Sequence, residues 1–188
     1  VVGATSEEGR VVTNGMSQHS RNERNANSGL VVALDADDLA PFERFPGDPL
    51  AGIALQRKLE ERAFRLGGNS YAAPAQRLED FLAARPSTRL GAIAASYQPG
   101  VHPADLDALL PPPIVEALRE ALPVFARKLK GYDHPDAVLT GVETRTSSPV
   151  RIPRDEALES LNVKGLVPAG EGAGYAGGIL SAGIDGIR

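Results

Sequence analysis

The chain contains no cysteine. That absence excludes disulfides, thiolate metal sites and a cysteine nucleophile, and it fits a cytoplasmic protein. No apolar run approaches the roughly 18 residues of a membrane-spanning helix, and no charged-then-apolar leader opens the chain. Both absences predict a soluble protein with no membrane partner. Charge of one sign is also lacking: 20 Lys and Arg stand against 24 Asp and Glu, a net charge of −4, so wholesale nucleic-acid binding is not expected. Internal repeats and low-complexity tracts are missing. What is there is 188 residues, enough for one domain or one and a half with a real core. Val1 and Val2 open the chain without an initiator Met and Arg188 stops a predicted helix early, so both ends read as cut from a longer polypeptide.

One stretch is hard to explain without a ligand: residues 165–188, GLVPAGEGAGYAGGILSAGIDGIR. Leu166, Val167, Pro168 and Ala169 form a short apolar run between glycines and predict a buried strand. Gly170, Gly172, Gly174, Gly177 and Gly178 then remove Cβ atoms from a turn, which permits positive φ and close approach by another molecule. Ile179, Leu180, Ile184 and Ile187 follow at helical spacing. Strand, glycine turn and helix start together aim backbone N–H groups and the positive end of a helix dipole at one place, which suits a phosphate or another electron-rich ligand atom.

Two readings of the turn compete. Gly172, Gly174 and Gly177 fit the dinucleotide fingerprint G-x-G-x-x-G, but that motif needs a second strand and an acidic residue about 20 positions on, and 11 residues follow Gly177. The other reading makes Glu171 the acceptor of sugar-type hydroxyls, with the turn and helix start meeting what lies beyond.

The block VPAGEGAGYAGGILSAGIDGIR (167–188) resembles the last cofactor-binding segment of a family of uncharacterised FAD-dependent oxidoreductases, the FAD-utilising dehydrogenases. Similar to the same family are EEGRVVTNGMS (7–17), NANSGLVV (25–32), GDPLAGIALQRKLEERAFRLGGNSYAAPAQRLEDFLAARPS (47–87) and VLTGVETRTSSPVRI (138–152). The resemblance implies FAD as cofactor, a helix start at Gly177, Gly178 and Ile179 aimed at the flavin, and Glu171 on a ribityl or ribose hydroxyl. It also places the polar loop 18–28, with Asn22, Asn25, Asn27, Arg21 and Arg24, near the flavin; a solvated loop explains those residues as well. The family's N-terminal strand and G-x-G-x-x-G turn, which hold the ADP half of FAD, are not in this chain. The segment alone is therefore expected to bind FAD weakly or not at all, and the missing half of the same polypeptide is its expected partner.

Along the chain, Val11 to Thr13 predict a short strand and Asn14-Gly15 a hairpin-closing turn. Residues 30–34 predict another strand. Asp35, Asp37 and Asp38 lack the Gly and distal Glu of a calcium loop, so no metal is expected. Ile53, Leu55, Leu59, Ala63 and Leu66 predict a helix ended by Gly67-Gly68. A second helix is expected with Pro74 in its first turn, a stripe of Leu78, Phe81 and Leu82, and Pro86 at its end. Leu106, Leu109 and Leu110 predict a short helix broken by Pro111, Pro112 and Pro113. Residues 114–129 form the clearest amphipathic pattern, with Pro123 inside and Gly131 at the end. Residues 137–152 return to strand, and 155–161 read as a short helical or turn segment.

The expected fold is α+β, a helical insertion flanked by extended segments and ending in a strand, turn and helix of an FAD/NAD(P)-binding domain. Residues 1–34 join that domain to the insertion, 35–136 form a mainly helical cap or substrate domain, 137–164 are return strands and 165–188 are the C-terminal part of the FAD-binding domain.

Catalytic residues are not identified. The cofactor residues expected are Gly170, Glu171, Gly172, Gly174, Tyr175, Gly177, Gly178 and Ile179. Tyr175 would pack on a ring or merely cover the turn. Arg145 and Arg151 offer paired donors to an anionic small-molecule substrate or to cofactor phosphates, and a salt-bridged surface strand accounts for them equally. His19, His102 and His134 lie in separate polar loops at no ligand spacing, and Ser147 and Ser148 lack a G-x-S-x-G context. In a flavoenzyme the absence of a general base is no objection, because the flavin carries the electron transfer. The alternatives are an NAD(P)-binding enzyme and a non-enzymatic helical interaction module.

Overall fold

A computed structural model describes residues 1–4 and 6–188. Among them are five α-helices and two small sheets, an α+β composition. The chain forms two compact units, one of residues 1–33 and 57–144, the other of residues 34–56 and 145–188.

In the first unit, β1 (Val2–Gly3) pairs antiparallel with β2 (Thr13–Asn14). The turn between them forms around Glu8 and Gly9, where Gly9 takes φ +69°. Asn14 lies inside β2, so Asn14-Gly15 does not close this hairpin. Val11 and Val12 are fully buried, and the Val11 N–H donates to the Glu60 carbonyl at 3.1 Å. The expected strand at 30–34 is absent: the segment has no ladder partner, and Val31 is 66% exposed.

The predicted helix forms as α2 (Ala51–Leu66), whose Leu55, Leu59 and Ala63 are buried at i, i+4 spacing. It ends at Gly67 and Gly68 as expected. A Cβ on Gly67 would lie 2.0 Å from the Ala72 carbonyl oxygen, so the chain reversal closes only because none is there. Gly68 follows at φ +80°.

The expected second helix is largely replaced. Residues Ala73–Arg77 form β3, the centre of a three-stranded sheet in which β4 (Val101–Pro103) runs parallel and β5 (Val138–Thr140) antiparallel. Pro74 is thus in a strand, not a helical first turn. It is tolerated because, although it pairs with His102, the hydrogen bonds on the β4 side are made by its neighbours Ala73 and Ala75, and pairing with β5 begins one residue later at Ala75↔Thr140. Its carbonyl still accepts the Gly141 N–H at 2.9 Å. The helix is reduced to α3 (Leu78–Leu82), which buries Leu78 and Phe81.

A 3₁₀ turn at Leu106–Ala108 replaces the short helix, with the Asp105 carboxylate accepting the Asp107 N–H. The long amphipathic helix is α4 (Pro112–Lys128), and it runs through Pro123. Its prolines at the start are the first-turn residues that a helix tolerates, so they open α4 as well as ending the turn before it. The core residues of this unit include Leu78, Phe81, Leu106, Leu109, Val115 and Leu122. Gln76 is fully buried among them, its amide donating to the Arg85 carbonyl at 2.8 Å and accepting the Leu106 N–H at 2.9 Å.

In the second unit, Asp35 and Asp38 form a capping box on α1 (Ala36–Leu39). That accounts for two of the three clustered aspartates, and among the described residues no group of acidic or histidine side chains could hold a metal. Asp48 is buried, and its carboxylate accepts two hydrogen bonds from the Arg44 guanidinium, at 2.7 and 3.0 Å, one from the Arg44 N–H at 3.2 Å and one from the Leu50 N–H. The unit ends in α5 (Ile179–Ile187). Among the described residues no helix is long and apolar enough to cross a membrane.

Candidate functional site

The glycine turn and the segment before it form one stitched structure within the second unit. Residues 166–169 do not form the buried strand expected of them. Leu166 and Val167 are 42% and 59% exposed, and their segment pairs with no strand. Its carbonyls go elsewhere: Leu166 accepts from the Ser160 N–H at 2.8 Å, and Pro168 accepts from Arg154 Nη1 at 2.7 Å. An apolar run of four residues suits a buried strand, but without a neighbouring strand its peptide groups bond locally.

From Gly170 the chain turns back on itself. The Gly170 carbonyl accepts the Tyr175 N–H at 3.0 Å and the Glu171 carbonyl accepts the Gly174 N–H at 3.0 Å. Ala173 accepts from the Ile152 N–H at 3.1 Å, the Ser148 hydroxyl reaches the carbonyls of Val150 and Gly172, and the Tyr175 hydroxyl donates to the Ile152 carbonyl. The five glycines then separate by role. Gly174, at φ +81°, has no room for a side chain: a Cβ there would lie 2.6 Å from the Val150 carbonyl oxygen. Gly172 and Gly177 have nothing within 4 Å of that position, and Gly178 only the Ser181 hydroxyl at 3.8 Å. Packing within the chain explains Gly174 and leaves Gly172 and Gly177 unexplained.

Gly178 is the N-cap of α5, with no side chain capping it. The first helical bond runs from the Ala182 N–H to the Gly178 carbonyl at 2.8 Å, which leaves the N–H groups of Ile179, Leu180 and Ser181 without an intrahelical partner. Glu171 is half-buried, and its carboxylate makes no hydrogen bond or ion pair with the described residues. A free carboxylate, bare backbone and an uncapped helix start thus share ten consecutive residues.

Arg145 and Arg151 are separated by their contacts. Arg151 lies over the Tyr175 ring, 4.3 Å from its centroid, and Arg154 covers the same ring at 3.7 Å. Tyr175 therefore packs on two guanidinium groups and covers the turn. Arg145 is exposed six residues before Arg151. The histidines are not brought together: His19 is exposed, His102 lies in β4, and His134 accepts the Asp136 N–H through Nδ1 at 3.1 Å.

Arg154 and Asp185 escape the sequence patterns. Each side chain is 8% exposed, and they pair through both oxygens, Nη2 to Oδ1 at 2.6 Å and Nη1 to Oδ2 at 2.9 Å. Asp185 Oδ2 also accepts the Gly170 N–H at 2.8 Å. The Arg154 fork, then the Gly170 N–H, hold the Asp185 carboxyl down at about 2, and the same pair raises the Arg154 value. The available signal was a single acid in the otherwise apolar and small helix ILSAGIDGI, a position that demands a partner if it is buried.

A family model described as FAD-dependent protein, C-terminal domain-like, matches residues 1–146. The chain belongs to that family. The match stops short of the glycine turn. An uncharacterized protein of Clostridium beijerinckii is 52% identical over 189 residues, covering 100% of this chain and 34% of the relative. The chain thus spans about a third of the length of that relative, and the similarity extends through the turn.

Proposed function

We propose that the chain is part of an FAD-dependent oxidoreductase, a dehydrogenase acting on a small molecule, in which residues 170–179 lie against FAD. The observation that carries this reading is the open space over Gly172 and Gly177, beside a Gly174 that packing fully accounts for. Membership of an FAD-dependent family supports it. When bound, FAD supplies the electron transfer. The chain's own residues bind and orient. Glu171, whose carboxylate has no partner among the described residues, accepts a hydroxyl of the ribityl or ribose chain. The unpaired N–H groups at the start of α5 favour negative charge placed before them. Gly172 and Gly177 let the backbone approach without a Cβ between. Arg145 and Arg151 carry the positive charge that an anionic substrate or the cofactor phosphates would meet.

In the same reading, residues 35–136 are a cap or substrate domain inserted between parts of the FAD domain, and the ADP half of the cofactor is held by another part of the parent polypeptide, in the cytoplasm. The test is the visible spectrum of the purified full-length parent. Bands near ~370 and ~450 nm, general to oxidised flavins, are expected, together with weaker FAD uptake in Gly172→Val and Gly177→Val. A parent that stays colourless after FAD is supplied overturns the proposal.

A further inference from the structure

Three points in the second unit are tied by one buried ion pair. Arg154 lies before the turn, Gly170 opens it, and Asp185 sits in the second half of α5, past its N-terminus. The Arg154 fork grips both Asp185 oxygens and the Pro168 carbonyl, while Asp185 takes the Gly170 N–H. Arg154 also stacks on Tyr175, whose hydroxyl holds Ile152. The ion pair and the Asp185–Gly170 bond join the segment before the turn and its first residue to the helix. Residues 176–178, which connect turn and helix, show polar contacts only within α5 among the described residues: the Gly178 carbonyl accepts the Ala182 N–H at 2.8 Å and the Ser181 hydroxyl at 2.9 Å. The angle between turn and helix is therefore fixed by the ion pair together with the Gly170 N–H that it holds.

We infer that Arg154 and Asp185 form a clasp that positions the start of α5 relative to Glu171 and Gly172, and so sets how the flavin site is aimed, without touching the cofactor. The inference rests on the function proposed above. A bidentate guanidinium-carboxylate pair suits the task because two parallel hydrogen bonds fix orientation as well as distance. Its burial on both sides makes it sensitive to a change of one partner, since the other is then left as an uncompensated charge. Both residues act through the backbone they hold and are positioning residues.

The experiment uses the full-length parent, with Arg154→Lys, which keeps the charge and removes the fork, and Asp185→Asn, which keeps the shape and removes the charge. Far-UV circular dichroism checks the fold. FAD dissociation constants, the shape of the band near ~450 nm and the midpoint potential of the bound flavin are measured for each. The clasp predicts an FAD dissociation constant raised about tenfold or more in either variant, a change in the band shape and a lower potential, because the helix start no longer faces the reduced ring as well. Variants that fold and match the parent in affinity, spectrum and potential overturn the clasp and leave the proposed function standing. Variants that both fail to fold assign the pair to folding alone and overturn its positioning role. A parent protein that takes up no FAD removes the function and the clasp together.

Discussion

The five glycines of the turn are not equivalent, and substitution by alanine separates them. Gly174→Ala forces a side chain into a positive-φ position and against the Val150 carbonyl, so it is expected to cost about 1–3 kcal/mol in urea unfolding. Gly172→Ala meets nothing and is expected to stay within about 0.5 kcal/mol of the parent. Equal losses at the two positions would contradict the geometry. Asp185 contributes at the same scale. Its folded value of about 2 lies below the ordinary value of 3.8, so its pair with Arg154 stabilises the fold fully above the unfolded value. That stability is lost as pH falls from about 4 towards 2. Urea midpoints measured across that window should fall less steeply in Asp185→Asn than in the parent chain. Asp48, Asp80 and Asp136, also held below their ordinary values by arginine, serine or backbone hydrogen bonds, leave part of the slope in place.

Elements were legible where periodicity and breakers agreed. The helices α2 and α4 follow from apolar residues at i, i+4 spacing with glycine or proline at their ends. The strand β3 was not legible, because its sequence APAQR has no β-branched or aromatic residue and contains a proline. Its strand character comes from partners distant in sequence, β4 and β5. Gln76 is the cost of that choice: a polar side chain at the centre that only works if both ends are bonded. Gln76→Met, close in volume, leaves the Leu106 N–H and the Arg85 carbonyl without those partners and should cost about 1–3 kcal/mol by chemical denaturation. In α4, Pro123 is exposed and offers no N–H to the carbonyl of Arg119. Pro123→Ala restores that bond and is expected to raise the melting temperature, with a gain of up to about 3 kcal/mol. The glycine turn was legible as a turn running into a helix, because five glycines in nine residues break a strand or helix before the apolar run of α5 begins. The clasp beneath it was not, since 31 residues separate its two halves.

For the molecule as a whole, charge and exposed apolar surface act together. Net charge is −4 and the isoelectric point near 5.4, so repulsion between copies weakens as pH approaches that value. Along α5, Ile179, Leu180, Ile184 and Ile187 are 91%, 83%, 62% and 86% exposed. Light scattering of this chain should therefore rise as pH is lowered towards 5.4, and the double substitution Ile179→Lys, Ile187→Lys should suppress the rise. Scattering that is unchanged by the two lysines would place the sticky surface elsewhere. The tight reversal at Gly67, finally, has a bearing on how any mutational survey of this protein is interpreted. With an oxygen 2.0 Å from where the first side-chain atom would go, position 67 should reject all nineteen other residues. Such total intolerance is the signature usually taken to mark a reacting group, and here steric exclusion alone produces it.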